Sequence, residues 1–353
     1  MKIILNDFDS KRIETLATIF QNNNAVREVL ADFLNNNEKF ITEEMLKEIT
    51  EEYDMQPSMA FAMLLASTCG LEIHDNQLHK QIFNDYFLPS IKELSTKDFA
   101  KDKYFKTIEF PQKKFKDWEF TFSEYLPCEA FIFDDLITTS TFREYPQIGF
   151  FRENFKFPCV KQNQREWMAI KPNEILSMQT PIENAFGKVL TLGLGLGYFA
   201  FMASEKKTVE SVTIVESDKN IIELFSEYIL PQFPEKQKIR IINQDALAFL
   251  LNFQENTFDY VFSDIWHDES DGLPLYLKIL NFSRNFKTTK FDFWIEKSML
   301  SSLRNTVFWS LYDIFKKQKQ TQNPKDEKTI TTYQQFVNML SDKELKKLKI
   351  EKN

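Results

Sequence analysis

Glycine is scarce in this chain, and three of the few glycines lie close together. The 353 residues include 7 glycines, whereas average usage in proteins is about 7%. Gly193, Gly195 and Gly197 follow the apolar run 189–192, which has the composition of a buried strand. Because glycine has no Cβ, this pattern indicates a strand-to-helix turn that a ligand or another backbone segment approaches closely. The scarcity also excludes a Gly-x-Ser-x-Gly elbow and a complete phosphate-binding Gly-x-x-x-x-Gly-Lys-[Ser/Thr] loop.

Strand-like and helix-like segments alternate in the second half of the chain. The predicted helices begin at Asp218 and Ala246. Continuous apolar strands separated by helices are typical of a parallel sheet that is covered on both faces. The sequence therefore predicts an α/β fold with a Rossmann-like doubly wound parallel sheet. Its predicted strands are residues 189–192, 212–215, 238–242, 258–262 and 291–295.

The preceding residues have a different character. Residues 1–105 show apolar positions at helical spacing and predict a helical N-terminal module. Residues 106–172 contain short aromatic and β-branched runs and predict a small β subdomain. The α/β domain then covers residues 173–353 and includes a helical, lysine-rich C-terminal tail. From residue 316 onward there are ten lysines and five acidic residues, a pattern typical of a solvated helix.

Acidic side chains follow several of the predicted strands. Glu216 and Ser217 come after the second strand, Asp245 and Ala246 after the third, and Asp264 after the fourth. Ligands of parallel sheets bind beyond the carboxyl ends of the strands, so these residues and the glycines should share one crevice. Helix capping is the alternative role for each of these acids.

Four motifs in this region resemble those of class I S-adenosylmethionine-dependent methyltransferases. They are the glycine loop after residue 192, Val215-Glu216, Asn243-Gln244-Asp245-Ala246 and the segment 258–264. The resemblance implies a methyltransferase-like domain with S-adenosylmethionine as cofactor, the ribose on Glu216 and the adenine amino group on Asp245. The residues implied in cofactor binding are Gly193, Leu194, Gly195, Gly197, Glu216, Ser217, Asp245 and Ala246.

The β subdomain and the acidic fourth motif resemble the spermidine synthase branch of the same fold. That branch usually carries Gly-Gly-Gly-Asp-Gly at the loop and Asp-x-x-Asp-Pro in the fourth motif. Here Leu196 replaces the loop aspartate, and Asp264 and Asp268 are four residues apart without the proline. The leading prediction is therefore methyl transfer from S-adenosylmethionine to an unidentified acceptor. The alternatives are a spermidine synthase-like aminopropyltransferase and a non-catalytic nucleoside-binding scaffold.

Asp264 and His267 are the candidate catalytic residues. Asp264 would orient or deprotonate the acceptor, and His267 could act as a base because its charge changes near neutral pH. A structural or merely exposed histidine is the alternative. His74 and His79 are five residues apart, a spacing that does not suit a metal pair on one helix face, so no metal site is predicted.

Composition limits the remaining classes of function. The three cysteines are far apart and predict neither a disulfide framework nor a zinc site, and the net charge of −8 argues against broad nucleic-acid binding. The longest apolar run, 59–66, is too short to span a membrane, and the first residues do not read as a secretory signal. The expectation is a cytoplasmic enzyme whose partner is a small-molecule acceptor, with a homodimer as an open alternative.

Overall fold

A computed structural model describes residues 7–320 of the chain. The N-terminal part of these residues is largely helical. Its helices begin with ordinary signals: the Thr42 side chain caps the second helix, and Pro57 is the first residue of the third. These helices are α1 (Asp7–Asn36), α2 (Glu43–Tyr53), α3 (Pro57–Thr68), α4 (Gln77–Ile82), α5 (Leu88–Ser90), α6 (Thr96–Ala100) and α7 (Lys103–Thr107). A short π-helix, Phe83–Phe87, joins α4 to α5.

The strands before residue 170 form two separate sheets. One sheet has three strands in the order β1 (Ile91–Glu93), β5 (Glu144–Phe150) and β4 (Phe131–Thr138), and it packs against the N-terminal helices. The other has four antiparallel strands in the order β2 (Lys113–Phe115), β3 (Trp118–Tyr125), β6 (Phe155–Gln162) and β7 (Arg165–Ala169). The residues predicted as one β subdomain thus contribute strands to both sheets.

The second half of the chain forms a five-stranded parallel sheet. The strands are β8 (Gly187–Leu192), β9 (Val209–Glu216), β10 (Ile239–Asn243), β11 (Tyr260–Ser263) and β12 (Lys290–Phe293). Their order is β10-β9-β8-β11-β12, and all pairs are parallel. The strand order reverses direction between β8 and β11, which is where doubly wound sheets bind their ligands. The predicted α/β fold class is confirmed.

Helices connect and cover these strands. They are α8 (Pro172–Ser177) and α9 (Gln179–Asn184) before β8, then α10 (Tyr198–Ser204), α11 (Lys219–Leu224), α12 (Ala246–Leu250), α13 (Glu269–Ser283) and α14 (Glu296–Gln320). The last of these helices, α14, includes residues 316–320 of the predicted tail. The rest of the predicted lysine-rich tail, residues 321–353, lies outside the described residues. Within 7–320, no helix has the length and apolar character needed to cross a membrane.

Two hydrophobic cores hold this architecture together. The larger core joins the four-stranded sheet to the parallel sheet, and the smaller one lies between the N-terminal helices and the three-stranded sheet. Because the larger core is shared, β7 and α8 are packed directly beside the carboxyl edge of the parallel sheet. This packing brings residues 166–174 to the crevice at which the glycine loop ends.

Candidate active site

The glycine loop connects β8 to α10 in a conformation that requires glycine. Gly193 and Gly195 have φ values of +97° and +58°, which L-residues with a side chain rarely adopt. A Cβ on Gly193 would collide with the backbone carbonyl of Asp264, and one on Gly195 would collide with the Met168 thioether. The predicted close approach is thus made by the protein itself, at the ends of β11 and β7. The loop geometry alone therefore does not require a ligand.

Glu216, at the end of the neighbouring strand β9, stabilises this loop through hydrogen bonds. Its carboxylate accepts hydrogen bonds from the backbone N–H groups of Leu194 at 3.2 Å and Asp218 at 2.8 Å. The Ser217 hydroxyl donates to the same carboxylate at 3.3 Å. Glu216 also lines the crevice, and its role at a ribose remains a prediction.

The remaining strand-end acids include several helix caps. Asp245 accepts from the Ala248 N–H at 2.8 Å and begins α12, while Asp268 accepts from the Ser270 N–H at 2.7 Å and begins α13. Asp245 is exposed and, with Ala246, lies outside the residues that line the cavity described below. Their contact with an adenine remains a prediction. Asp218 caps α11 in the same way, through the Asn220 N–H at 2.7 Å.

Asp264 and Glu174 differ from all of these acids. Neither carboxylate accepts a hydrogen bond or forms a salt bridge within the described part of the chain, although both line the crevice beside Gly193. Burial, together with the charges of Glu174 and Glu216, raises the pKa of the Asp264 carboxyl well above its ordinary value. Burial also raises the pKa of Glu174, to about 7, and the nearby Lys171 charge opposes this shift. Two half-buried carboxylates are therefore available for a ligand at the switch point.

His267 lies at the mouth of the crevice. Its Nδ1 is 3.0 Å from the Asp271 carboxylate, and more than half of its side chain is exposed. The imidazole meets the Trp167 indole edge-on, with ring centroids 4.8 Å apart. This contact joins the loop after β11 to strand β7 across the opening.

The crevice is a cavity of about 460 Å³, within the usual range for a small-molecule site. Its charged lining is strongly acidic, because five carboxylates and one lysine face it. These residues are Glu166, Glu174, Glu216, Asp218, Asp264 and Lys171. The lysine is already paired, with its Nζ 3.0 Å from the Glu166 carboxylate.

Tryptophans form much of the remaining wall. Four of the five tryptophans in the chain line the cavity: Trp118, Trp167, Trp266 and Trp294. The Trp118 Nε1 and the Asn173 Oδ1 are buried and have no hydrogen-bond partner among the described residues. An acidic, tryptophan-rich cavity is suited to a cation, because indole faces attract positive charge and carboxylates pair with it.

The sequence analysis missed the half of this site that precedes β8. Glu174, Lys171, Asn173, Trp118 and Trp167 come from β3, β7 and the start of α8, not from the ends of the parallel strands. Pro172 at the start of α8 is a helix-start signal in the sequence. No local sequence pattern, however, indicates that Glu174 of this helix lies beside the glycine loop. Among the described residues, no group of three or more potential metal ligands lies together.

Comparisons with known proteins bear on the function of this domain. A family model described as the spermine/spermidine synthase domain matches residues 174–339. A polyamine aminopropyltransferase from Clostridium botulinum (strain Alaska E43 / Type E3) is 31% identical over 94 residues, which are 26% of this chain and 32% of that protein. Polyamine aminopropyltransferase 2 of Caldanaerobacter subterraneus subsp. tengcongensis is 25% identical over 137 residues, 36% of this chain and 44% of that protein.

Similar solved structures include a spermidine synthase from Thermotoga maritima. It is 19% identical, with a TM-score of 0.27, and the alignment covers 34% of this chain and 44% of that one. This chain spans about a third to under half of the length of the curated relatives it matches.

These findings correct the leading functional prediction. Methyl transfer with S-adenosylmethionine as cofactor is contradicted, because the matching family model and curated relatives belong to aminopropyltransferases. The prediction rested on the acids at the strand ends, on Leu196 in the loop and on the missing Asp-x-x-Asp-Pro pattern. The fold adds Glu174 and Glu166 from outside the parallel sheet, so the cavity is acidic despite Leu196.

Proposed function

We propose that this chain is an aminopropyltransferase that uses decarboxylated S-adenosylmethionine and an amine acceptor. The observation that carries the proposal is the charge of the cavity, with five carboxylates, one paired lysine and four tryptophans. Decarboxylated S-adenosylmethionine carries a sulfonium and an ammonium and has no carboxylate. Its charge is therefore complementary to this cavity, whereas the carboxylate of S-adenosylmethionine would be repelled.

The residues divide into a nucleoside end and a transfer end. At the nucleoside end, Glu216 and Ser217 would hold the ribose and the backbone beside Leu194 and Gly195 would contact the donor. The predicted adenine contacts of Asp245 and Ala246 belong to the same end. At the transfer end, Asp264 would receive the acceptor amine, with the cavity tryptophans excluding water and stacking against the cationic groups.

The reaction needs a neutral amine held in line with the donor carbon. The nitrogen lone pair attacks the propyl carbon next to the sulfonium, the new C–N bond forms, and the C–S bond breaks with its electron pair going to sulfur. The products are 5′-methylthioadenosine and the aminopropylated amine, and one proton is released. The Asp264 carboxylate would take this proton, because it lines the cavity and accepts no hydrogen bond within the described residues.

The test is incubation of the full chain with either decarboxylated S-adenosylmethionine or S-adenosylmethionine, each with putrescine, followed by mass analysis. We expect 5′-methylthioadenosine and spermidine in equal amounts with the decarboxylated donor only. Asp264→Asn should lower the rate by about 100-fold or more, while Asp245→Asn should retain the transfer chemistry. Methylated product and S-adenosylhomocysteine from S-adenosylmethionine would overturn the proposal. So would binding of either donor without turnover, as expected for a nucleoside-binding scaffold.

A further inference from the structure

Leu196 occupies the loop position at which spermidine synthase-like chains usually carry an aspartate. This position therefore has no carboxylate. In this structure the Leu196 side chain is buried in the core, and its carbonyl accepts a hydrogen bond from the Tyr104 hydroxyl at 2.7 Å. The loop is thus fixed to α7 and presents no acidic side chain to a ligand. A carboxylate that pairs with a primary ammonium group of the donor must therefore come from elsewhere in the cavity.

Glu174 is positioned to be that partner. It lines the cavity together with Gly193, Gly195 and Asp264, but it comes from α8 and not from the end of a parallel strand. Lys171, one turn earlier, is 3.0 Å from Glu166, and this pairing leaves the Glu174 carboxylate without a salt bridge in residues 7–320. Glu174 also lies near a second unpaired carboxylate, since its charge helps to raise the pKa of Asp264.

A purely structural role for Glu174 does not account for this arrangement. Glu174 is in the first turn of α8, where an acid can stabilise a helix by accepting from free backbone N–H groups. Its carboxylate makes no such hydrogen bond in the described part of the chain, in contrast to Asp218, Asp245 and Asp268. Two like charges that line one cavity also oppose folding unless they are protonated or paired with a cation.

We propose that Glu174 supplies the carboxylate that the glycine loop lacks and binds the ammonium group of the donor's aminopropyl arm. Asp264 then remains available for the acceptor amine. This inference rests on the proposed function, since it assumes a donor with an aminopropyl group. It also explains why the chain can carry leucine in the loop and still form an acidic cavity.

The experiment compares two ligands that differ in the aminopropyl arm and in the positive charge that this arm places on sulfur. Decarboxylated S-adenosylmethionine and 5′-methylthioadenosine are titrated by calorimetry into the wild-type chain, Glu174→Gln and Glu174→Asp. The matched control is Glu210→Gln, which removes an exposed carboxylate of β9 outside the cavity. We expect Glu174→Gln to weaken the binding of the decarboxylated donor by about tenfold or more. The binding of 5′-methylthioadenosine should weaken by less than about twofold. Glu174→Asp keeps the charge and should recover part of the affinity.

The outcomes separate this inference from the function on which it rests. If wild type binds the decarboxylated donor and Glu174→Gln binds it equally well, the inference is overturned and the proposed function stands. An equal loss of affinity for both ligands would also overturn it, since Glu174 would then only maintain the shape of the site. If wild type fails to prefer the decarboxylated donor over S-adenosylmethionine, the proposed function fails, and the inference fails with it. A circular dichroism spectrum of each variant shows that it is folded.

Discussion

At the scale of single residues, the unpaired acids of the cavity lower the stability of the folded protein as pH rises. Asp264 and Glu174 hold protons more tightly in the folded chain than they would in the unfolded chain, because burial and neighbouring carboxylates disfavour the charged forms. A folded state that binds more protons than the unfolded state loses stability as pH rises. For Glu174 this loss extends from its ordinary range near 4.5 up to about 7.

We predict that Glu174→Gln stabilises the ligand-free protein at pH 8 and has little effect at pH 5. The neutral amide avoids the charge that the folded state disfavours at the higher pH, and we expect a gain on the order of 1 to 3 kcal/mol. Thermal unfolding of both proteins at a series of pH values measures the difference. The matched control is Glu210→Gln, at an exposed glutamate of β9 outside the cavity. A stability difference that is constant from pH 5 to pH 8 would contradict the prediction.

At the scale of secondary-structure elements, Lys206 connects the segments on both sides of β8. Its Nζ donates to the carbonyl groups of Ile182, Glu183 and Ala185 at 2.6 to 2.7 Å, which satisfies the last turn of α9. Lys206 itself lies in the turn between α10 and β9. The Lys206 ammonium group therefore fixes α9 relative to the turn that follows α10.

We expect Lys206→Met to lower the free energy of unfolding by about 2 to 4 kcal/mol, because three carbonyl groups lose a charged donor. Chemical denaturation monitored by circular dichroism measures this loss. Lys207→Met serves as the control, since the neighbouring lysine is exposed, and it should change stability by less than about 0.5 kcal/mol. Equal effects of the two substitutions would show that the α9 contact is not important for stability.

The elements also show what could be predicted from the sequence. The parallel strands were found because each is a short apolar run, and Glu216 and Asp264 were found because parallel strands end at the same edge. The two smaller sheets were not distinguished, since β1 pairs with β5 across more than fifty residues and no local pattern encodes that pairing. Glu174 was missed for the same reason, because its position depends on how α8 packs beside the parallel sheet.

At the scale of the whole molecule, α14 is attached to the N-terminal half through a buried charge network. Glu144 of β5 is 4% exposed and accepts from the Arg304 Nε at 3.1 Å, while Arg27 of α1 approaches it at 3.5 Å. The Asp135 carboxylate of β4 accepts from the first backbone N–H groups of the same helix, at 3.0 and 3.2 Å. The helix that follows the parallel sheet is therefore held by residues from the N-terminal half of the chain.

We predict that Arg304→Met destabilises the protein by about 2 to 4 kcal/mol, because it leaves the buried Glu144 charge with a weaker partner. The double variant Glu144→Gln and Arg304→Met should lose less stability than the sum of the two single variants, since it removes both charges together. A double-mutant cycle by chemical denaturation provides these values. Strict additivity would show that the two side chains do not interact energetically, and the network would then not account for the attachment of α14.

The placement of the tryptophans gives the cavity its own optical signal. Trp118, Trp167, Trp266 and Trp294 surround the space that a ligand would fill, and Trp309 packs away from it against Phe308 and Tyr312. Indole emission depends on the polarity and charge around the ring, so occupation of the cavity changes the surroundings of most emitters at once. Intrinsic fluorescence of the unlabelled chain can therefore follow ligand binding in real time, with Trp309 contributing a constant background.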